Sequence, residues 1–195
     1  MKTLKATLTK DELNAMPPCV FTGKIELINT SEQVNAAVEA LKNELLIGFD
    51  TETKPSFVKG ISNKVSLIQL ATENVCYLFR LNHLGGIPAD LEHLLQSKQV
   101  KKVGLSLRDD FAALNKRKKI NHDSFIDLQK LVKQYGIEEL SLQKIYGILF
   151  GERISKSQRL SNWEAAELSE AQQRYAAIDA WACWKIYLKL LEMKK

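Results

Sequence analysis

The chain has 195 residues, of which 45% are hydrophobic and 26% are charged, a composition that excludes a largely disordered protein. The length suits one domain built around a single core. The formal net charge of +5 favours a polyanionic partner without identifying one.

The N-terminal residues 1–22 are mixed and polar, and we expect them to form an arm outside the core, ahead of one domain over 23–195. The start lacks the apolar segment of a signal peptide. No run approaches the roughly 20 apolar residues of a membrane span. The cysteines, Cys19, Cys76 and Cys183, share no short spacing, which indicates a reducing compartment. We therefore expect a soluble, cytoplasmic protein with no membrane partner.

Strand patterns dominate the next part of the chain. The segment KIELINT (24–30) predicts a short strand, and Ser31 begins a helix with apolar residues at helical spacing. The run ELLIGFDTE (44–52) is apolar on both faces, which is typical of a central strand. A loop (53–63) follows it. Two β-rich runs with a tight turn between them, KVSLIQLAT and NVCYLFRL, then predict a hairpin.

The rest of the chain alternates strands with helices and ends in helices. The predicted elements are a helix near 89–97, a strand KKVGLS, a helix RDDFAALNKR, a candidate last strand SFIDL that runs into a helix, a helix SLQKIYGILFG, and a long helix from Ser169. Ser169 and Gln172 fit a capping box, which marks the start of that last helix. This order predicts an α/β fold with a mixed sheet flanked by helices.

Acidic side chains occur on three predicted elements. Asp50 and Glu52, two residues apart on a strand, point to one side of its C-terminal end, where open sheets bind ligands. Asp110 lies where a strand gives way to a helix. Tyr175 and Asp179 are four residues apart on the last helix and share a face.

Each of these acids could instead have a purely structural role. Asp50 and Glu52 could mark a strand that runs out into solvent. Asp109 and Asp110 could serve only to stabilise a helix N-terminus through its dipole. The neighbours of Asp179 are apolar on both sides, so the sequence leaves its orientation open.

The four carboxylates taken together favour a metal site. Four acids in one place would repel, and some would remain protonated. Two divalent cations would balance their charge, and ligation by carboxylates alone suits Mg²⁺ or Mn²⁺. We therefore expect two Mg²⁺ or Mn²⁺ ions held by these acids.

Several segments resemble the DEDDy 3′–5′ exonucleases, most closely the Werner exonuclease domain and more distantly ribonuclease D. The segments that carry the likeness are GFDTET, KVSLIQLAT, CYLF, KKVGLSLRDD and SNWEAAELSEAQQRYAAIDAW. Their order and separation match the family over about residues 43–190. The resemblance implies a ribonuclease H-like fold with a mixed five-stranded sheet.

The resemblance also implies roles for individual residues. Asp50 and Glu52 match the first exonuclease motif, Asp110 matches the second, and Tyr175 with Asp179 matches the third. The four acids would hold two metal ions in a two-metal mechanism, and Tyr175 would position the attacking water. The implied activity removes nucleoside 5′-monophosphates from the 3′ end of DNA or RNA.

Basic and aromatic residues near these motifs are candidates for nucleic-acid contacts. Lys54, Lys156 and Arg159 could bind phosphates, and Trp163 could stack on a base, gate the site, or simply anchor a loop in the core. Relatives continue into further nucleic-acid-binding or helicase domains, so we expect a separate helicase or targeting partner.

Two other functions fit the same residues. One is a catalytically inactive nucleic-acid-binding module on the same fold, and the other is a phosphodiesterase of short oligonucleotides. An unrelated α/β domain with surface acids would leave the match over several segments unexplained.

Overall fold

The computed structural model describes residues 4–60 and 62–194. Residues 1–3 of the predicted arm, residue 61 of the predicted loop and residue 195 lie outside the described residues. The strands are β1 (Lys24–Ile28), β2 (Leu46–Thr53), β3 (Val65–Ala71), β4 (Val75–Arg80), β5 (Lys101–Gly104) and β6 (Phe125–Asp127).

The strands form one mixed sheet in the order β1-β4-β3-β2-β5-β6. Strands β2, β3 and β4 are an antiparallel meander, which confirms the hairpin predicted from the sequence. Strand β1 adds to β4 in parallel, and β5 adds to β2 in parallel. The fold is therefore the predicted mixed α/β arrangement, with β2 in its interior.

The sheet has one strand more than the five that the family resemblance implies. The additional edge strand is β6, which corresponds to the candidate last strand SFIDL. It has only three residues and pairs in parallel with Lys102, Val103 and Gly104 of β5. Its short ladder places Asp127 level with Gly104, at the same end of the sheet as the acidic end of β2.

Helices cover both faces of the sheet. They are α1 (Lys10–Asn14), α2 (Ser31–Leu41), α3 (Ala89–Gln96), α4 (Leu107–Leu114), α5 (Leu128–Leu131), α6 (Leu142–Phe150) and α7 (Glu170–Met193), with a 3₁₀ turn at Val132–Tyr135. Helices α2, α3 and α4 pack on one face, and α5, α6 and α7 pack on the other. Within 4–60 and 62–194, no helix is long and apolar enough to cross a membrane.

The last helix starts where the sequence predicts. The Ser169 hydroxyl accepts a hydrogen bond from the Gln172 N–H, and the Gln172 side chain accepts one from the Ser169 N–H at 3.0 Å. This capping box satisfies two N–H groups that the first helical turn would otherwise leave free. It fixes the register of α7 and therefore which of its residues face the sheet.

Close contact between β2 and α7 depends on a glycine. A Cβ atom at Gly48 would lie 2.0 Å from the Ala180 carbonyl oxygen and 2.9 Å from its carbonyl carbon. These are backbone atoms of a long helix, so a side-chain rotation cannot relieve the overlap. Gly48 thus allows α7 to approach β2 two residues before Asp50 and one residue beyond Asp179.

We expect Gly48→Ala to destabilise the protein by about 3 kcal/mol or to prevent folding, because overpacking a rigid contact forces backbone shifts. Urea denaturation monitored by circular dichroism measures the change. The control is Leu45→Ala, since Leu45 is 82% exposed beside the same strand, and its effect should stay within about 0.5 kcal/mol. Equal stability of Gly48→Ala and the wild type would contradict this account of the contact.

The N-terminal segment packs on the domain, which corrects the expectation that it contributes nothing to the core. Leu8, Leu13, Cys19 and Phe21 are all buried. The segment mixes polar and apolar residues, and these four place their apolar side chains against α6 and the sheet. The division of the chain at residue 22 stays a prediction.

Candidate functional site

Three carboxylates meet where β2 ends against α7. Asp50 and Glu52 follow Gly48 at intervals of two residues, so they point to the same face of β2, toward α7. Asp179 precedes Ala180, the residue that contacts Gly48. One oxygen from each of Asp50, Glu52 and Asp179 lies within 4.8 Å of the others. The geometry therefore settles the orientation of Asp179, which the sequence left open.

Asp110 is not a member of this group of three acids and lies on the side of β2 that faces away from α7. Thr51 points away from α7, and its hydroxyl donates a hydrogen bond to the Asp110 carboxylate in the first turn of α4. Asp110 is half-buried, whereas Asp109 is exposed. This difference supports the second acid of the pair, and not the first, as the member of the site.

The start of α4 is held in place by β6. Ser106, which precedes α4, has a left-handed backbone with φ of 61°. Its N–H donates to the Asp127 carboxylate at 3.2 Å, and the same oxygen accepts from the Gln129 N–H at 2.9 Å. Asp127 thus stabilises the turn at the start of α4, the helix whose first turn carries Asp110.

Burial makes the site unfavourable for negative charge. It raises the pKa of Asp50 well above its ordinary value, and the charges of Asp110, Asp179 and Glu52 add to this effect. Burial, followed by the charges of Asp179 and Asp110, raises the pKa of Glu52 to about 9. Burial also raises the pKa of Asp179 to about 7 and that of Asp110 to about 6.

Tyr175 lies beside the acids, one turn before Asp179 on α7. Burial raises the pKa of its phenol, and the charges of Asp179 and Glu52 raise it further. Its hydroxyl in turn lowers the pKa of Asp179. The phenol therefore stays protonated at neutral pH and can donate a hydrogen bond into the site.

The ligand set fits hard divalent cations. Asp50, Glu52 and Asp179 offer oxygens close enough to share one ion, and the charge of Asp110 acts on Asp50 and Glu52. An all-carboxylate set suits Mg²⁺ or Mn²⁺ rather than zinc. The raised pKa values reflect burial first and, for Asp50 and Glu52, the neighbouring negative charges, and a bound cation would offset both.

The acids open into a cleft of about 410 Å³. Lys156 and Arg159, which the sequence predicts as phosphate contacts, are exposed on its wall, and their role stays a prediction. The positive charge of Arg159 lowers the pKa of Glu52, and that of Lys156 lowers the pKa of Asp179. Both cations therefore face the acids.

The other two predicted contacts lie elsewhere. The Lys54 ammonium lies 3.6 Å from the Glu164 carboxylate and forms an ion pair with it. Trp163 is fully buried, with its ring centroid 6.0 Å from that of Tyr175. A ring without an exposed face cannot stack on a base, so the expectation of base stacking is corrected. The structure supports its alternative role as an anchor in the core behind Tyr175.

Sequence reasoning missed two residues that surround Asp50. Thr51 lies between Asp50 and Glu52 in the chain and donates a hydrogen bond to Asp110. A polar residue at this position of a buried strand is the sequence signal that could have identified it. Gln69 is the cross-strand partner of Asp50. It is fully buried, and its side-chain amide has no hydrogen-bond partner among the described residues. A glutamine in the otherwise apolar run LIQLA was its signal.

We expect Thr51→Val to weaken Mn²⁺ binding about tenfold, because a group that orients a ligand typically contributes this much. The Thr51 hydroxyl holds the Asp110 carboxylate and lowers its pKa, and valine keeps the shape without the donor. Titration calorimetry measures the affinity, with Thr51→Ser as the control that retains the hydroxyl. Wild-type affinity in Thr51→Val would exclude this positioning role.

Comparisons with known proteins show which family the chain belongs to. A family model described as 3′–5′ exonuclease matches residues 25–195. The exonuclease/helicase WRN of Mus musculus is 35% identical over 150 residues, which cover 74% of this chain and 11% of that protein. A 3′–5′ exonuclease of Arabidopsis thaliana is 29% identical over 202 residues, which cover 95% of this chain and 70% of that protein.

Solved structures share the fold. The Aedes aegypti Nibbler EXO domain has a TM-score of 0.77 and 25% identity, covering 89% of this chain and 91% of that one. Escherichia coli RNase D has a TM-score of 0.76 and 24% identity, covering 87% of this chain and 44% of that one. At this identity the second likeness concerns the fold alone. The chain spans about a tenth of the WRN relative's length and less than half of the RNase D chain.

Proposed function

The chain belongs to the 3′–5′ exonuclease domain family, and from this membership we propose that it hydrolyses nucleic acids from their 3′ end. The observation that carries the proposal is the convergence of Asp50, Glu52 and Asp179, together with the hydrogen bond from Thr51, which lies between Asp50 and Glu52 in the chain, to Asp110. Acids that served only to solvate the surface would not be buried. Four acids in a module that only binds nucleic acid would repel its polyanionic ligand.

We propose Asp50, Glu52, Asp110 and Asp179 as the residues that hold two Mg²⁺ or Mn²⁺ ions. When bound, such ions supply charge stabilisation to the attacking and leaving oxygens of a phosphodiester. Asp50 is our candidate for the ligand that both ions share, because the charges of the other three acids all act on it.

The protein's own groups would orient the reaction. Water attacks phosphorus, and the bond from phosphorus to the 3′ oxygen of the preceding nucleotide breaks, leaving a 3′ hydroxyl on the shortened strand. The Tyr175 phenol, protonated at neutral pH, would donate a hydrogen bond that positions this water and would not act as its base. Lys156 and Arg159 would bind the phosphate of the terminal nucleotide, which leaves as a nucleoside 5′-monophosphate.

The test is digestion of 5′-labelled single-stranded DNA and RNA of equal sequence, each with a free or a blocked 3′ end. We expect a ladder that shortens from the free 3′ end with Mg²⁺ or Mn²⁺ and no cleavage with EDTA. Equal digestion of blocked strands would exclude 3′ polarity. Binding without cleavage would favour the inactive module, and cleavage confined to the shortest strands would favour the oligonucleotide phosphodiesterase.

Partners and location follow from the same proposal. The relative from Mus musculus is named as both an exonuclease and an ATP-dependent helicase, which supports a separate helicase or targeting partner for this domain. The cytoplasm is our proposed location, because Cys19, Cys76 and Cys183 are buried free thiols and suit a reducing compartment.

A further inference from the structure

A second cleft, of about 450 Å³, opens beside the acidic one. Its walls come from α1, the start of α6 and the segment that follows α6. The two clefts have five wall residues in common, Ser141, Gln143, Ile154, Ser155 and Lys156. They therefore adjoin and form one groove with the acids in one part of it. We call the part beyond the acids the basic extension.

The basic extension is lined by cations. Lys10, Lys144, Arg153 and Lys156 belong to its walls, and no carboxylate does among the described residues. Lys10, Arg153 and Lys156 are exposed. The Lys144 ammonium pairs with Glu139 at 2.9 Å, so its charge is partly compensated. The uncompensated charge of the groove therefore comes mainly from the other three.

Backbone hydrogen bonds hold the N-terminal segment in this position. The Cys19 N–H donates to the Arg153 carbonyl, and the Arg153 N–H donates to the Pro17 carbonyl, both at 2.8 Å. The Arg153 Nε donates to the Met16 carbonyl at 3.1 Å. The Leu8 N–H donates to Glu139 at 2.8 Å. Lys10 is thus carried on a fixed element, which suits a binding surface better than a mobile tail.

The charges suggest what occupies this groove. A strand whose 3′ end lies among four acids must continue away from them on its 5′ side. Its phosphates are attracted to the part of the groove that carries lysine and arginine side chains and lacks carboxylates among the described residues. The positive end of the α6 dipole, at Ser141, lies in the shared wall and adds to this attraction.

We propose that the basic extension binds the phosphodiester backbone of a single strand on the 5′ side of the nucleotide being removed. This inference rests on the proposed exonuclease function and adds to it a role for the N-terminal segment. The extension would make long strands better substrates than dinucleotides, and this preference would weaken as the salt concentration rises.

The test is Lys10→Glu. Lys10 is exposed at the first position of α1, where an acid is favourable for the helix dipole, so we expect the variant to fold. The readout is kcat/KM for a strand of about twelve nucleotides divided by kcat/KM for a dinucleotide. We expect this ratio to fall about tenfold. We also expect the plot of log(kcat/KM) for the longer strand against the log of the salt concentration to become less steep, by about 0.7 for each lost phosphate contact.

Two further variants keep the test decisive. Arg153→Ala should lower the same ratio, with thermal unfolding as a check on folding. Lys98→Glu is the matched control, because Lys98 is exposed after α3, which packs on the other face of the sheet. An unchanged ratio in both groove variants, or an equal fall in the control, would overturn the basic extension. A wild type that cleaves neither strand would overturn the exonuclease proposal itself.

Discussion

Asp50→Asn is expected to lower kcat/KM on a labelled single strand by about a thousandfold or more, or about 4 kcal/mol. Asparagine keeps the size of the side chain but removes one negative charge from the centre of the acid cluster. The other acids would then hold cations weakly and out of position. Initial rates of product release at a fixed Mn²⁺ concentration measure the loss.

The control for Asp50→Asn is Asp109→Asn. Asp109 is exposed, and it lies next to Asp110 in the first turn of α4. The account predicts activity within about twofold of the wild type for this control. An Asp50→Asn variant that is folded and retains a tenth or more of wild-type activity would contradict the proposed role of Asp50.

The metal-free protein is expected to lose stability as the pH rises. Carboxyl groups of the unfolded chain have pKa values near 4, whereas those of Asp110, Asp179 and Glu52 in the folded protein are about 6, 7 and 9. Between these values the folded state holds protons that the unfolded state has released. The free energy of unfolding therefore decreases from about pH 4 to about pH 9.

Divalent cations should reverse this trend, because a cation replaces the protons. At about pH 8, Mn²⁺ at about a hundred times its dissociation constant should stabilise the protein by about 2.7 kcal/mol. Melting curves in EDTA and in Mn²⁺ across the pH range measure both effects. Asp50→Asn should melt higher than the wild type in EDTA at high pH. A melting temperature in EDTA that rises from about pH 5 to about pH 8 would contradict the assigned pKa shifts.

The central strand and its acids could be predicted from the sequence because their signals are local. An apolar run predicts the buried part of β2, and the alternation along a strand places Asp50 and Glu52 on one side. The capping residues Ser169 and Gln172 mark the start of α7 for the same reason. Each of these signals depends only on neighbours along the chain.

The remaining parts of the site depend on contacts between distant residues. The side on which Asp179 lies is set by the approach of α7 to Gly48, and nothing near Asp179 in the sequence records that approach. The contact between Thr51 and Asp110 joins residues 59 positions apart. Such contacts appear only once the sheet and helices are assembled.

Two predictions, for Trp163 and for the N-terminal segment, were wrong because the sequence does not show which side chains are buried. Trp163 lies in a polar segment with nearby cations, a pattern typical of a nucleic-acid contact, but its ring fills the core behind Tyr175. The N-terminal segment mixes polar and apolar residues, and its Leu8, Leu13 and Phe21 side chains all occupy buried positions. Composition predicts how many residues a segment can bury but not whether a surface exists to receive them.

The proposed metal site is tested most sharply by metal-dependent cleavage after bound ions have been removed from the protein. Wild type, Asp50→Asn and Asp109→Asn are dialysed against EDTA and then given a 5′-labelled single strand with increasing Mn²⁺. We expect no cleavage in EDTA and, once Mn²⁺ is added, a ladder from the 3′ end with wild type and Asp109→Asn but not with Asp50→Asn. Cleavage by the wild type in EDTA, or recovery of Asp50→Asn to a tenth or more of the wild-type rate, would contradict the proposed metal site.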